Sequence, residues 1–283
     1  MPPDPAMTDP LKGTVFYKMS GSGNDFIMLD GRYTTPAAWS PDRIVAVCDR
    51  RRGVGADGLV ILTPEGGGRV RMDFWNCDGS RADMCGNAAL CSTRLAAFLE
   101  LAPAEGMQLV TRAGTFPTRA GPEGDEAELN LPDFALPGTP AGVAFRPDES
   151  GGMLATVGVP HLVLEVADLE RPDLMERGRF LRSDPALGPA GANINFVGAA
   201  TPGSKAACAL RTFERGVEGE TLACGTGAVA AAVLLAHSGR QGLPLDIETR
   251  GGRILHIAAT LSGDKATNVW LSGEGRLVFT GVL

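Results

Sequence analysis

The chain has 283 residues, of which 44% are hydrophobic and 21% charged, with a formal net charge of −7. This length suits two domains of ordinary size, and the composition is that of a globular protein. The acidic balance argues against a nucleic-acid surface, and the lack of an 18-residue apolar run argues against a membrane span.

Residues 1–13 are acidic and Pro-rich and lack the basic and apolar regions of a signal peptide. They read as a loose tail in a cytoplasmic protein, with Met7 an alternative start. Gly21-Ser22-Gly23 leads through Asn24-Asp25 into a strand over 26–29. It is a poor dinucleotide fingerprint, since no helix follows. A short helix is expected over 41–48 with Ser40 as its N-cap. Strands follow at 59–62 and 70–75, ending in a turn at Asn76-Cys77-Asp78-Gly79. The next helix runs over 86–99, with Leu95, Phe98 and Leu99 at helical spacing. Strands recur at 154–157, 162–164 and 194–197. A polar, superficial helix is expected over 168–180. The run 225–236 is nearly all Ala, Val and Leu, and a helix apolar on every side must be enclosed. A strand over 268–271 follows. The fold class is α+β, with two sheets, each curled around one central helix. The domains are 14–130 and 131–273, with 274–283 returning to the first.

Two cysteines stand out. Cys85 precedes Gly86-Asn87-Ala88, and Cys224 precedes Gly225-Thr226-Gly227, each at the mouth of an apolar helical run. A helix N-terminus has N–H groups without intrahelical acceptors and a partial positive charge. It favours a thiolate and can bind a carboxylate beside it. Two such thiols facing one another would make a two-base site. The other cysteines, Cys48, Cys77, Cys91 and Cys208, read as small buried or half-buried side chains. No CxxC pair or export signal points to disulfides. The three histidines, His161, His237 and His256, lack zinc-ligand spacing, so no metal is expected.

The halves echo one another. Gly55-Ala56-Asp57 matches Gly191-Ala192-Asn193, Phe74 matches Phe213, and Thr111-Arg112-Ala113-Gly114 matches Thr249-Arg250-Gly251-Gly252. The offsets are nearly constant (192 − 56 = 136, 213 − 74 = 139, 224 − 85 = 139, 249 − 111 = 138). Collinear landmarks indicate a duplicated unit. His161 falls where Asp25 lies in the first half (161 − 25 = 136). A lone His opening a strand is commonly structural, and this correspondence marks it for attention. Glu214-Arg215-Gly216 leaves a strand at a glycine. It reads either as a salt-bridged strand end or as a carboxylate and guanidinium for one zwitterionic ligand, since the Arg fork grips both carboxylate oxygens. Asn76 reads as a hairpin-turn residue or as an amide aimed into a cleft.

On these residues, the chain from about Lys18 onward resembles the diaminopimelate epimerases. The resemblance is carried by Asn76-x-Asp78-Gly79-Ser80-x-x-x-x-Cys85-Gly86-Asn87-Ala88, by Glu214-Arg215-Gly216 leading to Ala223-Cys224-Gly225-Thr226-Gly227, and by Lys18-Met19-x-Gly21-x-Gly23-Asn24-Asp25-Phe26. It implies two pseudo-symmetric α+β domains sharing one active site. The enzyme would be a cofactor-independent isomerase that interconverts L,L- and meso-diaminopimelate in lysine and cell-wall precursor synthesis, and a homodimer. Cys85 and Cys224 would be the catalytic thiols, tuned by His161 and Glu214. Asn24, Asn76, Asn193, Glu214 and Arg215 would hold the far end of the substrate. Gly86, Asn87, Gly225 and Thr226 would bind the reacting carboxylate. Three positions depart from the family pattern: Val159 stands where Asn is frequent, Leu90 where Arg is usual, and Gly58 where some members have Gln. The alternatives are a racemase of another amino acid, an isomerase moving a proton within an unsaturated acid, and a thiol redox or amino-acid-binding protein without turnover.

Overall fold

Short strands joined by tight turns dominate the computed structural model, which describes residues 11–121 and 124–283. In chain order the first elements are β1 (Val15–Gly21), β2 (Asn24–Asp30), α1 (Pro41–Cys48), β3 (Gly58–Gly66), β4 (Arg69–Asn76), β5 (Arg81–Ala82), α2 (Gly86–Phe98), β6 (Met107–Thr111), β7 (Gly114–Ala120) and β8 (Glu126–Leu131). There follow β9 (Phe134–Ala135), β10 (Glu149–Val157), β11 (Val159–Val166), α3 (Leu174–Arg182), β12 (Asn193–Gly198), β13 (Cys208–Glu214), β14 (Gly219–Thr221), α4 (Gly225–His237), β15 (Leu245–Thr249), β16 (Ile254–Ser262), β17 (Lys265–Glu274) and β18 (Arg276–Val282). The chain divides into one unit of Met1–Leu129 with Glu274–Leu283 and another of Asn130–Gly273.

In the first unit the strands pair in the order β18-β1-β2-β3-β4-β6-β7-β8, antiparallel except for β2–β3 and β4–β6. In the second the order is β10-β11-β12-β13-β15-β16-β17-β9, antiparallel except for β11–β12 and β13–β15. The strands β5 and β14 form hairpins on β4 and β13. Each parallel pair needs a crossover, and α1 and α3 supply the first of these in each unit. The architecture is therefore α+β, with two units built on one plan.

Burial explains the continuous apolar strands. Ile27, Leu29, Leu59 and Ile61 pack with Ile44 of α1 on one face. Strand alternation sends Phe26, Met28 and Val60 to the other face, where α2 lies, and all three are buried. Helix α2 touches β1, β2, β3, β4, β6, β7 and β18, so the sheet curls around it. In the second unit α4 lies against β10, β11, β12, β15 and β16, and Ala228 to Leu235 are all buried. No helix among the described residues is long and apolar enough to cross a membrane.

The duplication extends to register. His161 pairs with Asn193 across the parallel β11–β12 ladder. The Asp57 N–H donates to the Asp25 carbonyl at the matching point of β2–β3 (2.9 Å). Gly55 and Gly191 both take positive φ (78° and 63°) at the entry to these strands.

Four expectations need correction. The loose tail does not reach residue 13: Leu11 is buried against Phe16, and the Gly13 N–H donates to the Leu283 carbonyl (2.9 Å). Residues 1–10 lie outside the described residues. The helix expected over 168–180 starts only at Leu174, because Pro172 disfavours helical backbone at Arg171 and the Asp168 carboxylate accepts from the Glu170 N–H in a turn. That helix is not superficial, since Leu174, Arg177, Gly178 and Leu181 are buried. Cys77, expected to be buried or half-buried, is exposed on its turn.

Candidate active site

Both cysteines are N-caps. Cys85 has extended backbone (φ −142°, ψ 125°) and its carbonyl accepts from the Ala89 N–H (2.9 Å). Cys224 repeats this (φ −130°, ψ 103°), with its carbonyl taking the Ala228 N–H (2.9 Å). The N–H groups of residues 85–88 and 224–227 therefore have no acceptor within their helices. Gly86 and Asn87, like Gly225 and Thr226, are the first two helical residues. Thr226 Oγ1 lies 3.8 Å from Cys224 Sγ. Each helix start can bind an anion and favour the thiolate beside it.

The surroundings of Cys224 include polar groups in the core. His161 is fully buried on β11, and Asn195 on β12 donates through Nδ2 to His161 Nδ1 (3.2 Å). Asn195 Nδ2 also donates to the Leu162 carbonyl (3.2 Å), which can only accept and so fixes the amide, and Asn195 Oδ1 accepts from Thr212 Oγ1 (2.9 Å). The ring is therefore neutral with its proton on Nε2. Burial, helped by the Arg215 charge, lowers the His161 pKa to about 3. Glu214 ends β13, and burial raises its pKa. The Arg215 backbone N–H donates to Asn193 Oδ1 (2.7 Å). Asn193, Glu214, Arg215 and His161 thus share one end of the second unit's sheet.

The neutral His161 carries a stability signature. The unfolded chain binds a proton as pH falls through about 6.5, whereas the folded chain does not until about 3. This contribution is full above the higher value and is lost as pH falls towards the lower. Asp25, whose pKa is about 2, adds its share only below 3.8. Between pH 7 and 5 we expect unfolding free energy to fall by on the order of 1–2 kcal/mol on account of His161. Urea titrations of wild type and His161→Gln check this, with the variant losing that slope.

In the first unit, Asn87 Nδ2 donates to Asn24 Oδ1 (2.7 Å), and Asn24 Nδ2 donates to Asp57 Oδ2 (3.0 Å). Asn76 Nδ2 donates to Ser80 Oγ (3.0 Å), so this amide serves the β4–β5 turn, with Gly79 at φ 81°. Burial pushes the Cys48 thiol up to about 12 and the Cys208 thiol to about 11, and holds Cys91 well above its usual range. Those three thiols are poor nucleophiles.

Two departures have packing reasons. Leu90 is fully buried in α2, where a charge would need a partner. A Cβ on Gly58 would sit 2.5 Å from the Trp75 carbonyl and 2.6 Å from the Phe74 ring, so no longer side chain fits. Val159 opens β11 half-buried. Asp57, Asn195 and Thr212 belong to these clusters and are not among the site residues expected from sequence. Asn195 was findable, since residues 193 and 195 share a strand face. A cavity of about 500 Å³ lined by Asp168, Arg211, Glu248 and Arg250 contains none of the predicted site residues.

The fold has close structural neighbours. A Bacillus anthracis phenazine biosynthesis protein of the PhzF family superposes with a TM-score of 0.72 at 15% identity, covering 96% of this chain and 99% of its own. A hydroxyproline epimerase from Agrobacterium vitis gives a TM-score of 0.66 at 16% identity, covering 95% and 92%. At such identities the likeness shows fold alone. Sequence goes further. A diaminopimelate epimerase of Gemmatimonas aurantiaca is 43% identical, with 94% of this chain and 98% of the relative covered. One from Aquifex aeolicus is 34% identical over 95% and 97%. The family model described as Diaminopimelate epimerase matches residues 16–130 and 153–272, and both cysteines fall inside these matched segments. The chain belongs to the diaminopimelate epimerase family.

Proposed function

We propose that this protein is a cytoplasmic, cofactor-independent epimerase that interconverts L,L- and meso-diaminopimelate, with Cys85 and Cys224 as its two bases. The observation that carries this reading is the pair of cysteine N-caps on equivalent helices, in a chain 43% identical to a relative named for that reaction. One thiolate removes the α-proton, and the other thiol delivers a proton to the opposite face. In the reverse direction they exchange roles. The α-proton of an amino acid is weakly acidic, so the step needs charge stabilisation at the carboxylate. Helix N-termini supply fixed dipoles for this purpose. A neutral, buried His161 adds no charge near Cys224, and a protonated Glu214 is favoured by its burial.

Substrate choice is tested with a panel of L,L-diaminopimelate, L-proline, trans-4-hydroxy-L-proline and L-glutamate. Turnover confined to the first supports the reading, and a preference for another member replaces it with a racemase of that amino acid. Within this reading Arg215 grips the distal carboxylate. Arg215→Ala then removes a charge-assisted bidentate contact worth about 1.5–3 kcal/mol, or roughly 10–150-fold in kcat/KM. Steady-state kinetics with an unchanged melting temperature is the expected result. Unchanged kinetics would leave Arg215, among the described residues, with its backbone bond to Asn193.

A further inference from the structure

The start of β2 gathers two carboxylates and two cations that the thiol chemistry does not use. Lys18 is buried; its Nζ lies 2.7 Å from Asp25 Oδ2 and also donates to the Gly55 carbonyl. Arg50 reaches Asp25 through two nitrogens (2.9 and 2.6 Å) and Asp57 Oδ1 through one (2.7 Å). Asp57 Oδ2 accepts from the Asp25 N–H (3.2 Å) and from Asn24 Nδ2 (3.0 Å).

These contacts set a direction. An ionised carboxylate only accepts hydrogen bonds, so Asp57 turns the NH₂ of Asn24 towards itself. That leaves Asn24 Oδ1 for the next neighbour, and Asn87 must present its own NH₂ there (2.7 Å). Asn87 Oδ1 is then turned away. It is buried, and no hydrogen-bond partner meets it among the described residues. Asn87 is the second residue of α2, two after Cys85. A buried acceptor left unpaired is unfavourable, so a ligand that fills it gains affinity.

We propose that Asp57 and Arg50 are positioning residues: acting through Asn24, they hold Asn87 so that its Oδ1 receives the ammonium group of the amino-acid substrate. This rests on the amino-acid epimerase reading above. An ammonium only donates, so the amide must show its oxygen. The carboxylate on the same carbon only accepts, and the N–H groups at the start of α2 suit it. One residue then reads both groups of the reacting centre. The cations keep the relay in this sense. A protonated Asp57 could donate to Asn24, and both amides would turn over. The charged and titratable groups facing the carboxylate pair are Lys18 from β1, Arg50 after α1, and the thiols of Cys48 on α1 and Cys77 on the β4–β5 turn. Hydrogen bonds from Arg50 and Lys18 overcome the effect of burial and hold Asp25 near 2.

Arg50 is exposed, so Arg50→Gln removes one cation without opening the core. The test measures kcat/KM for L,L-diaminopimelate against pH, together with the side-chain amide NMR signals of Asn24 and Asn87. In Arg50→Gln we expect the acidic limb to move up by about one pH unit and KM to rise about tenfold as pH falls one unit below its new midpoint. Both amide signals should shift along the same curve, and Arg50→Lys should recover most of the wild-type profile. A limb and amide signals that stay where wild type has them would overturn the proposal. So would equal impairment of both variants without a pH shift, which is what a merely structural Arg50 gives. If Arg50→Gln does not fold, Asp57→Asn carries the same test. It adds a donor beside Asn24, so moved amide signals and a tenfold higher KM support the relay, and unchanged values overturn it. The NMR arm needs no turnover. A wild type inactive on diaminopimelate would therefore overturn the substrate reading, while the amide signals still judge the relay.

Discussion

Replacing Cys85 or Cys224 with alanine should each lower epimerisation by orders of magnitude in both directions. In the proposed mechanism each substitution removes the proton carrier for one face of the α-carbon, and positioned acid–base groups contribute about 10²–10⁴-fold. Both helices should persist, because neither thiol caps its helix through the side chain and both capping carbonyls remain. The remaining thiol can still remove and return a proton on its own face. A serine variant at one position should therefore keep slow α-hydrogen exchange from one stereoisomer, and the variant at the other position should keep it from the opposite one. A structural role for either cysteine does not produce that reversal. Exchange of L,L- and meso-substrate by each variant, followed by NMR, is the measurement.

Gly227→Ala should be nearly as damaging. In a helix interior alanine is ordinarily better than glycine by about 1 kcal/mol. Here a Cβ would overlap Asn195 Oδ1 and stand 3.1 Å from Cys224 Sγ. The amide cannot withdraw without giving up its bonds to His161, Thr212 and the Leu162 carbonyl. Either the start of α4 moves outward with its thiol, or the buried cluster breaks. We expect a loss of about 2–4 kcal/mol of stability, in the range of overpacking combined with a lost buried hydrogen bond, and activity at least a hundredfold lower. Thermal unfolding and kinetics on the purified variant check both.

Much of this architecture was legible because its signals are local. The run 225–236 is apolar on every side, which only an enclosed helix tolerates, and α4 is enclosed. Ser40 before Pro41 marks α1, and its hydroxyl does accept from the Arg43 N–H (3.4 Å). The Cys-Gly words place both N-caps. What sequence hid was long-range. Nothing near Arg50 says that its guanidinium spans Asp25 and Asp57, since the parallel β2–β3 ladder alone brings those carboxylates together. The burial of His161 was hidden for the same reason: Asn195 reaches it across β11–β12, and Thr212 reaches Asn195 across β12–β13. The start of α3 was misplaced because polar residues 168–173 look helical, while Pro172 governs their backbone.

The central claim is that two thiols move the α-proton of one amino acid without a cofactor. Its most direct test is incubation of the protein with L,L-diaminopimelate in heavy water, with the recovered amino acids analysed by mass spectrometry and chiral chromatography. We predict meso product carrying one deuterium at the inverted α-carbon and none at the other. Recovery of unlabelled L,L-diaminopimelate with no meso isomer would contradict the account.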